Sequence, residues 1–535
     1  MMDFRGLELH GRAMWDHRKV DEALAVAGRY ELTSVVLHES DLMTEFVYPR
    51  PLFDSSATWT GAPVRRGENA LLNNQSYLRN LLRKVEGKHL ELWVEVKELT
   101  FPDEVLEREP GLYRNGMICP TDPFWWDFIT MKYRDLMALY PGITGVIVSA
   151  GSPEGRVALS QRKCRCERCD NTTLEEWYKD IIAAVYKGLE GTGARLAVRE
   201  FSYSVAHQKA ITEAVDAMPK EVIYCIKVTP HDFYPTFPHN ELVRTASGRP
   251  KWIEYDTMGQ YYGWGFFPCI MHNDIRSRFD YALENGVSGA LLRVEWERVN
   301  DWWSVDTPNR MNLHAAALCA RGETASPQEL AGTWMEEEGI SRGSVDLGLV
   351  VEFVEKTWPL MKSLLYVNDF VFNDSSMFPM SVERAWWSMT EKHSLSEWFP
   401  ERGGDLDLDE EKLRRYLSVK EEAVAEAERW EEIAAGRGSA GLPAPFREIV
   451  PIRARYARGF KAVTEVCLYA GWLDQNPQNA TGARERLGES ITALERYVRE
   501  LSEWHSTFVS RHQIELLMNP RRAQAVADGA AARKN

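Results

Sequence analysis

The feature that most constrains this chain is a repeated alternation of short apolar runs with longer amphipathic ones across residues 1–325. Runs with strand character stand at 4–9, 32–38, 89–96, 143–149, 195–201, 221–228, 251–256 and 288–296. Between most of them the apolar spacing turns helical. Val20, Ala23, Leu24 and Ala27 share one helical face ahead of Gly28, and Ile275, Phe279, Ala282 and Leu283 do so ahead of Asn285-Gly286. Further helices are expected over about 75–86, 174–190 and 206–218, with one opening at Thr121-Asp122-Pro123 and a closing one at Thr307-Pro308. Eight strand–helix units predict an α/β fold, a closed (β/α)8 TIM barrel over 1–325. A doubly wound open sheet is the rival, and no Gly-rich phosphate fingerprint follows the first strand.

Residues 326–535 change character. Ser326-Pro327 begins a helix, and long helical segments are expected near 345–366, 409–435, 443–474 and 483–510, with no strand among them. The charged run 409–435 reads as a solvated helix face, and the Ala-rich tail QAVADGAAARKN as frayed. This half is expected to be an all-helical C-terminal domain that packs on the barrel or forms a homodimer. A long insertion, 40–74, with Pro49, Pro51, Trp59 and Pro63, separates the second strand from its helix and reads as a lid or substrate wall, the alternative being an inert surface insertion.

The 64 basic and 79 acidic residues give a net charge of −15, which disfavours nucleic acid and anionic membranes as partners. No apolar window approaches membrane-helix length and no secretory signal is visible, so a cytoplasmic location is expected. The 8 cysteines are too few for a disulfide scaffold in 535 residues.

In a barrel, polar residues at strand C-termini face the active-site mouth. Glu8, His10, His38, Glu39, Glu95, Glu154, Arg199, Glu200, Lys227, Asp232, Glu254, Asp256, Arg293 and Glu295 all stand at or just past strand ends. Paired carboxylates among cations are what glycoside hydrolysis needs: one protonates the leaving oxygen and another activates water or attacks directly. The competing reading is a rim of mutual ion pairs. Cys164, Cys166 and Cys169, in CRCERC, offer three thiols to a structural Zn²⁺, with Cys119, Asp170 or a His as fourth ligand; otherwise they are reduced thiols in a loop. No other cofactor is implied. The segment 259–269, GQYYGWGFFPC, is either a sugar-stacking wall through Tyr261, Tyr262 or Trp264, or ordinary loop packing.

Five segments, in order, resemble the α-glucuronidases of glycoside hydrolase family 67. TGVIVSAGSPEG at 144–155 resembles that family's acid-bearing fourth strand, and REFSY at 199–203 its Arg-Ala-Phe-Val-Tyr strand end. IKVTPHDF at 226–233 resembles Ile-Lys-Asn-Gly-Pro-Ile-Asp-Phe, and EYDTMGQ at 254–260 resembles Glu-Tyr-Leu-Gly-Gln with two residues inserted. SPQELAGTWMEEEG at 326–339 resembles the helix after the family's barrel. The resemblance implies Glu154 as general acid, Asp232 and Glu254 as the carboxylates that activate water in an inverting mechanism, and Arg199 and Lys227 as readers of a uronate carboxylate. Trp264 is the expected stacking residue. The chain departs from the family at Ser149, where a lysine is usual, at Gly151, where an aspartate is usual, and in one extra residue before Glu154. With no counterpart of the family's N-terminal β-sandwich read ahead of the first strand either, the expectation is a divergent relative or a neighbouring family. The resulting expectation is release of an α-linked uronic acid from oligosaccharides. The alternatives are a retaining hexosaminidase-like barrel acting on neutral or N-acetylated sugars, and a non-catalytic carbohydrate-binding barrel.

Overall fold

The computed structural model describes residues 1–11, 13–38, 45–47, 62–152, 154–160, 164–246, 248–296, 302–371, 375–392, 397–398, 406–436 and 441–534. The chain folds first through β1 (Phe4–His10), α1 (His17–Arg29), β2 (Ser34–His38), α2 (Ala62–Glu86) and β3 (Glu91–Glu98). It continues through α3 (Phe124–Leu139), β4 (Ile143–Ala150), α4 (Leu174–Leu189), β5 (Arg195–Arg199), α5 (Val205–Asp216) and β6 (Ile223–Lys227). The cycle closes with β7 (Lys251–Asp256), α6 (His272–Glu284), β8 (Gly289–Arg293) and α7 (Arg310–Arg321). The eight strands form a closed barrel in chain order, each parallel to its neighbours.

The interior follows from the alternation of side chains along each strand. Phe4, Val36, Trp93, Ile147, Ala197, Ile223, Cys225, Trp252 and Leu291 fill the barrel as one apolar cluster. Its N-terminal floor is aromatic: Phe4 stacks on Trp252 at 3.7 Å, and Trp93 meets Trp252 edge-on at 5.0 Å. Three glycines make room for these rings. A Cβ on Gly145 would lie 2.2 Å from the Trp93 ring, one on Gly289 2.3 Å from Trp252, and one on Gly6 2.6 Å from Phe4. Two residues further along the strands, or four along β1, the inward positions become Glu8, His38, Glu95, Arg199, Lys227, Glu254 and Arg293, all buried. The apolar plug thus supports a charged layer at the C-terminal end.

The helices carry the expected local signals. Thr173 and Glu176 form a capping box on α4, and Asp122 accepts from the Phe124 N–H at 3.1 Å where α3 begins. Helix α2 starts at Ala62, earlier than the expected 75, and places Pro63 in its first turn. The lid reading of 40–74 therefore fails for its last part, while Pro49, Pro51 and Trp59, like Glu39, lie outside the described residues.

Beyond the barrel come α8 (Pro327–Glu337), α9 (Leu347–Leu365), α10 (Val382–Trp387), α11 (Glu410–Ala435), α12 (Ala444–Gln475), α13 (Ala480–Glu503), α14 (Arg511–Leu517) and α15 (Pro520–Lys534). Two expectations are corrected here. Residues 366–367 and 370–371 form a small antiparallel hairpin where no strand was expected. The tail is not frayed, because Ala523, Val526, Ala527 and Ala530 recur at helical spacing and bury that face of α15. Helix α11 is amphipathic: Leu413, Tyr416, Ala423, Ala427 and Trp430 are buried. Lys420 on the same face reaches the C-terminal end of α9 and donates to the carbonyls of Ser363, Leu364 and Tyr366 at 2.6, 2.8 and 2.7 Å. No helix among the described residues is long and apolar enough to cross a membrane.

The helical region also holds the loop after β7. Ser376 Oγ accepts from the Gly263 N–H at 2.8 Å and donates to the Gln260 carbonyl at 3.0 Å, and the Tyr366 hydroxyl donates to the Tyr261 carbonyl at 2.9 Å.

Candidate active site

The charged layer is a continuous chain of buried pairs. Arg199, at the end of β5, grips Glu254 of β7 through two 2.7 Å bonds and stands 3.3 Å from Glu95 of β3. Its remaining nitrogen reaches Ser149 Oγ at 3.4 Å. The rim pairing of Arg199 with Glu200 is not formed. Glu200 points out of the barrel, where Ser202 donates to it. On the other side of Glu95, His38 Nε2 lies 3.3 Å from that carboxyl, and His38 Nδ1 lies 2.6 Å from Glu8.

Burial dominates the protonation of this layer. It lifts the carboxyl of Glu95 well above the usual range despite Arg199, and the neighbouring charges of Glu8 and Glu254 push it the same way. Burial raises Glu8 too, against the pull of Arg293 and Arg199. His10 and His38 are driven well below their ordinary value by burial and by nearby cations, so both are neutral at pH 7. A neutral His38 can then donate from Nδ1 to Glu8.

Two further ion pairs line the mouth. Lys227, buried at the end of β6, holds Asp232 at 2.7 Å, and the Tyr261 hydroxyl donates to the other Asp232 oxygen at 2.6 Å. Burial alone would raise the Asp232 carboxyl, but the Lys227 ammonium and the two hydrogen bonds hold it well below the usual carboxylate range. The second pair joins Lys97 of β3 to Glu154, just past β4. Lys97 is buried, whereas the Glu154 side chain is 40% exposed. The loop carrying Glu154 leans on the loop after β3, with the Arg156 N–H donating to the Leu99 carbonyl at 2.9 Å. It leaves β4 through Gly151, whose φ is +67° and whose Cβ would lie 2.2 Å from the Tyr178 ring, so this backbone requires glycine.

Lys97 was absent from the sequence reading, which ended the third strand at 96. The strand continues to Glu98, and the inward alternation Glu91, Trp93, Glu95 carries on to Lys97. Lys97 is the register partner of Ser149, the position where the resemblance expects a lysine.

Other candidates have structural duties. Asp256 accepts the backbone N–H groups of Met258, Gly259 and Gln260 at 2.9, 3.2 and 2.8 Å and so fixes the turn after β7. Glu295 accepts from the His10 N–H at 2.7 Å, and burial pushes its carboxyl up to about 8. Arg293 donates to Gln260 Oε1 at 3.2 Å. Trp264 is a correction. It is 0% exposed and packs against Trp296 at 5.1 Å, so it offers no open face to a sugar. Tyr261 and Tyr262 are buried as well. The segment 259–269 is packed under the helical region rather than forming a stacking wall.

The structure thus brings Arg199, Lys227, Asp232, Glu254 and Glu154 to one end of the barrel. No protein-family model matches the chain, and no curated protein matches it. Among solved structures, a GH138 enzyme targeting pectin rhamnogalacturonan II is similar with a TM-score of 0.61 at 12% identity, over 99% of this chain. The chain spans 65% of that protein's length. A Flavobacterium johnsoniae chitobiase covers 98% of this chain and 78% of its own at 12% identity, but with a TM-score of 0.41. A Vibrio harveyi GH20 exo-β-N-acetylglucosaminidase covers 67% and 58% at 12% identity, with a TM-score of 0.39. At such identities the first likeness is one of fold, and the other two superpose too loosely to carry an argument.

Proposed function

We propose that this chain is a glycoside hydrolase that releases an α-linked uronic acid of glucuronic type from an oligosaccharide by single displacement. The observation that carries the reading is that two carboxylates of the mouth are each held by a lysine, Glu154 by Lys97 and Asp232 by Lys227. A uronate carboxylate has the charge to compete for both ammonium groups. Capture of Lys97 releases Glu154 to carry a proton to the glycosidic oxygen as the C–O bond breaks. Capture of Lys227 lets the proton affinity of Asp232 rise, so that it can take a proton from the water whose oxygen bonds to the anomeric carbon. Glu254, fixed by Arg199, adds negative charge on the side where the oxocarbenium ion develops. In this scheme the acidic sugar switches on its own acid and base, and a neutral sugar does not.

A second reading rests on Glu254. Both its oxygens lie in the Arg199 fork, which suits a nucleophile better than a base. A retaining enzyme acting on neutral or N-acetylated sugars would use it so, with Glu154 as acid and base. The deciding experiment is early-time NMR of the sugar released from uronic-acid-capped and neutral oligosaccharides, with wild type and Glu154→Ala. The expected result is the β-anomer first, from the acidic substrate, and no turnover by the variant. First appearance of the α-anomer, or preference for the neutral substrate, overturns the proposal.

A further inference from the structure

Four thiols from two separate loops converge on one point. Cys119 lies on the loop between β3 and α3, and Cys164, Cys166 and Cys169 lie on the loop between β4 and α4. The four sulfurs are all within 4.8 Å of one another. Cys164–Cys169 is 3.5 Å, Cys119–Cys169 is 3.6 Å and Cys119–Cys166 is 3.8 Å. Four sulfurs at ~2.3 Å from a central ion stand ~3.8 Å apart along the edges of a tetrahedron. A disulfide needs ~2.05 Å, and all four cysteines are free. Hydrophobic packing has no reason to gather four thiols around a common centre.

The surroundings suit thiolates. Backbone N–H groups of Thr121, Cys166 and Cys169 point at the sulfurs of Cys119, Cys164 and Cys166 respectively, and the Thr121 hydroxyl lies 3.2 Å from the Cys169 sulfur. The Arg114 guanidinium sits beside Cys119 and Cys166, where it offsets the net negative charge of four thiolates around a divalent ion. Arg165, between the first two clustered cysteines, has a φ of +55°. A non-glycine residue in that region is uncommon, and it stands here between two cysteines whose sulfurs meet in the same cluster. The loops are fastened from outside by the Trp125 and Trp177 indoles, which donate to the carbonyls of Cys119 and Pro120 at 2.8 and 2.9 Å.

We propose that Cys119, Cys164, Cys166 and Cys169 form a closed tetrathiolate site for one Zn²⁺. With four protein ligands it has no open position for substrate, so its role is structural. It staples the loop that follows β3 to the loop that carries Glu154, and so fixes the separation of the Lys97–Glu154 ion pair. The bearing of that separation on catalysis, unlike the metal site, rests on the proposed function.

The test is elemental analysis of the full-length protein purified without chelator, followed by exchange with Co²⁺. The expected result is about one zinc per chain, and a cobalt form with thiolate charge-transfer bands and the visible bands of a tetrahedral ion. Cys119→Ser should lose the metal. If that variant does not fold, Cys166→His serves instead: it keeps four ligands and should retain the metal with a shifted cobalt spectrum. Absence of metal together with no cobalt spectrum overturns the site, as does a disulfide among these cysteines found by mass mapping. Stoichiometric iron in place of zinc overturns the assignment of the ion. Because none of these readouts uses a sugar, the site stands or falls separately from the glycosidase reading.

Discussion

Lys97 stands directly across the β3–β4 ladder from Ser149, so a cation absent from one strand is present on the next. Neighbours in parallel register point to the same side of the sheet, and here both point into the barrel mouth.

Lys97→Met is therefore expected to raise KM for an acidic oligosaccharide on the order of 10- to 100-fold, the loss of one charge-assisted contact. Ser149→Lys on that background should recover part of the loss, because the ammonium returns to the same side of the mouth. Steady-state kinetics on the single and double variants measures both. An unchanged KM in Lys97→Met would remove the lysine from substrate recognition.

The Tyr261 hydroxyl donates to Asp232 and so favours its ionised form. Tyr261→Phe removes that bond, and the Asp232 pKa should rise toward the ordinary value. The acid limb of kcat against pH, which reports the substrate complex where Lys227 is engaged, is expected to move up by about one pH unit. A limb that stays in place, with only a uniform loss of rate, would mean that the tyrosine merely packs.

Glu295 titrates near 8 in the folded protein because burial disfavours its charge. The folded state then binds one more proton than the unfolded state between the ordinary glutamate range and about 8. Its contribution to stability is full below that window and is lost as pH rises through it, at up to about 1.4 kcal/mol per pH unit. Asp232, held low, acts with the opposite sign and at lower pH, since its contribution is lost as pH falls below the usual aspartate range. Glu295→Gln keeps an acceptor for the His10 N–H and should flatten the decline of denaturation midpoint between pH 5 and about 8. An identical slope in variant and wild type would contradict this.

Lys420→Met should cost about 2–3 kcal/mol, since it leaves the carbonyls of Ser363, Leu364 and Tyr366 without their buried donor. Urea denaturation reads the loss. A variant as stable as wild type would show that these carbonyls find other donors.

The barrel was legible in the sequence because strand and helix periods alternate so regularly, and β7 has the bounds read from KWIEYD. The site was legible only where residues stand at strand ends. Lys97 escaped because Lys97-Glu98 looks like the polar end of a strand, although the period-two alternation from Glu91 already pointed it inward. Cys119 was one of several candidate partners for the cysteine cluster, since spacing along one loop says nothing about which residue of another loop meets it. Trp264 misled for a different reason. It packs against Trp296, beyond the next strand, while Ser376 and Tyr366, far downstream, pin the neighbouring backbone at Gly263 and Tyr261, and no local pattern encodes these contacts. The tail misled through composition, because alanine and charge conceal the stripe Ala523, Val526, Ala527 and Ala530.

The aromatic floor of the barrel has a consequence for how the sequence can drift. Trp93 and Gly145, Trp252 and Gly289, and Phe4 and Gly6 interlock so closely that no methyl fits between them. Each couple behaves as a single heritable unit: a larger residue at the glycine is tolerated only after the ring opposite has shrunk, and a smaller ring alone leaves a void that weakens the whole barrel. A mutational library directed at this floor should vary the partners together, because one-at-a-time steps pass through broken intermediates in either order.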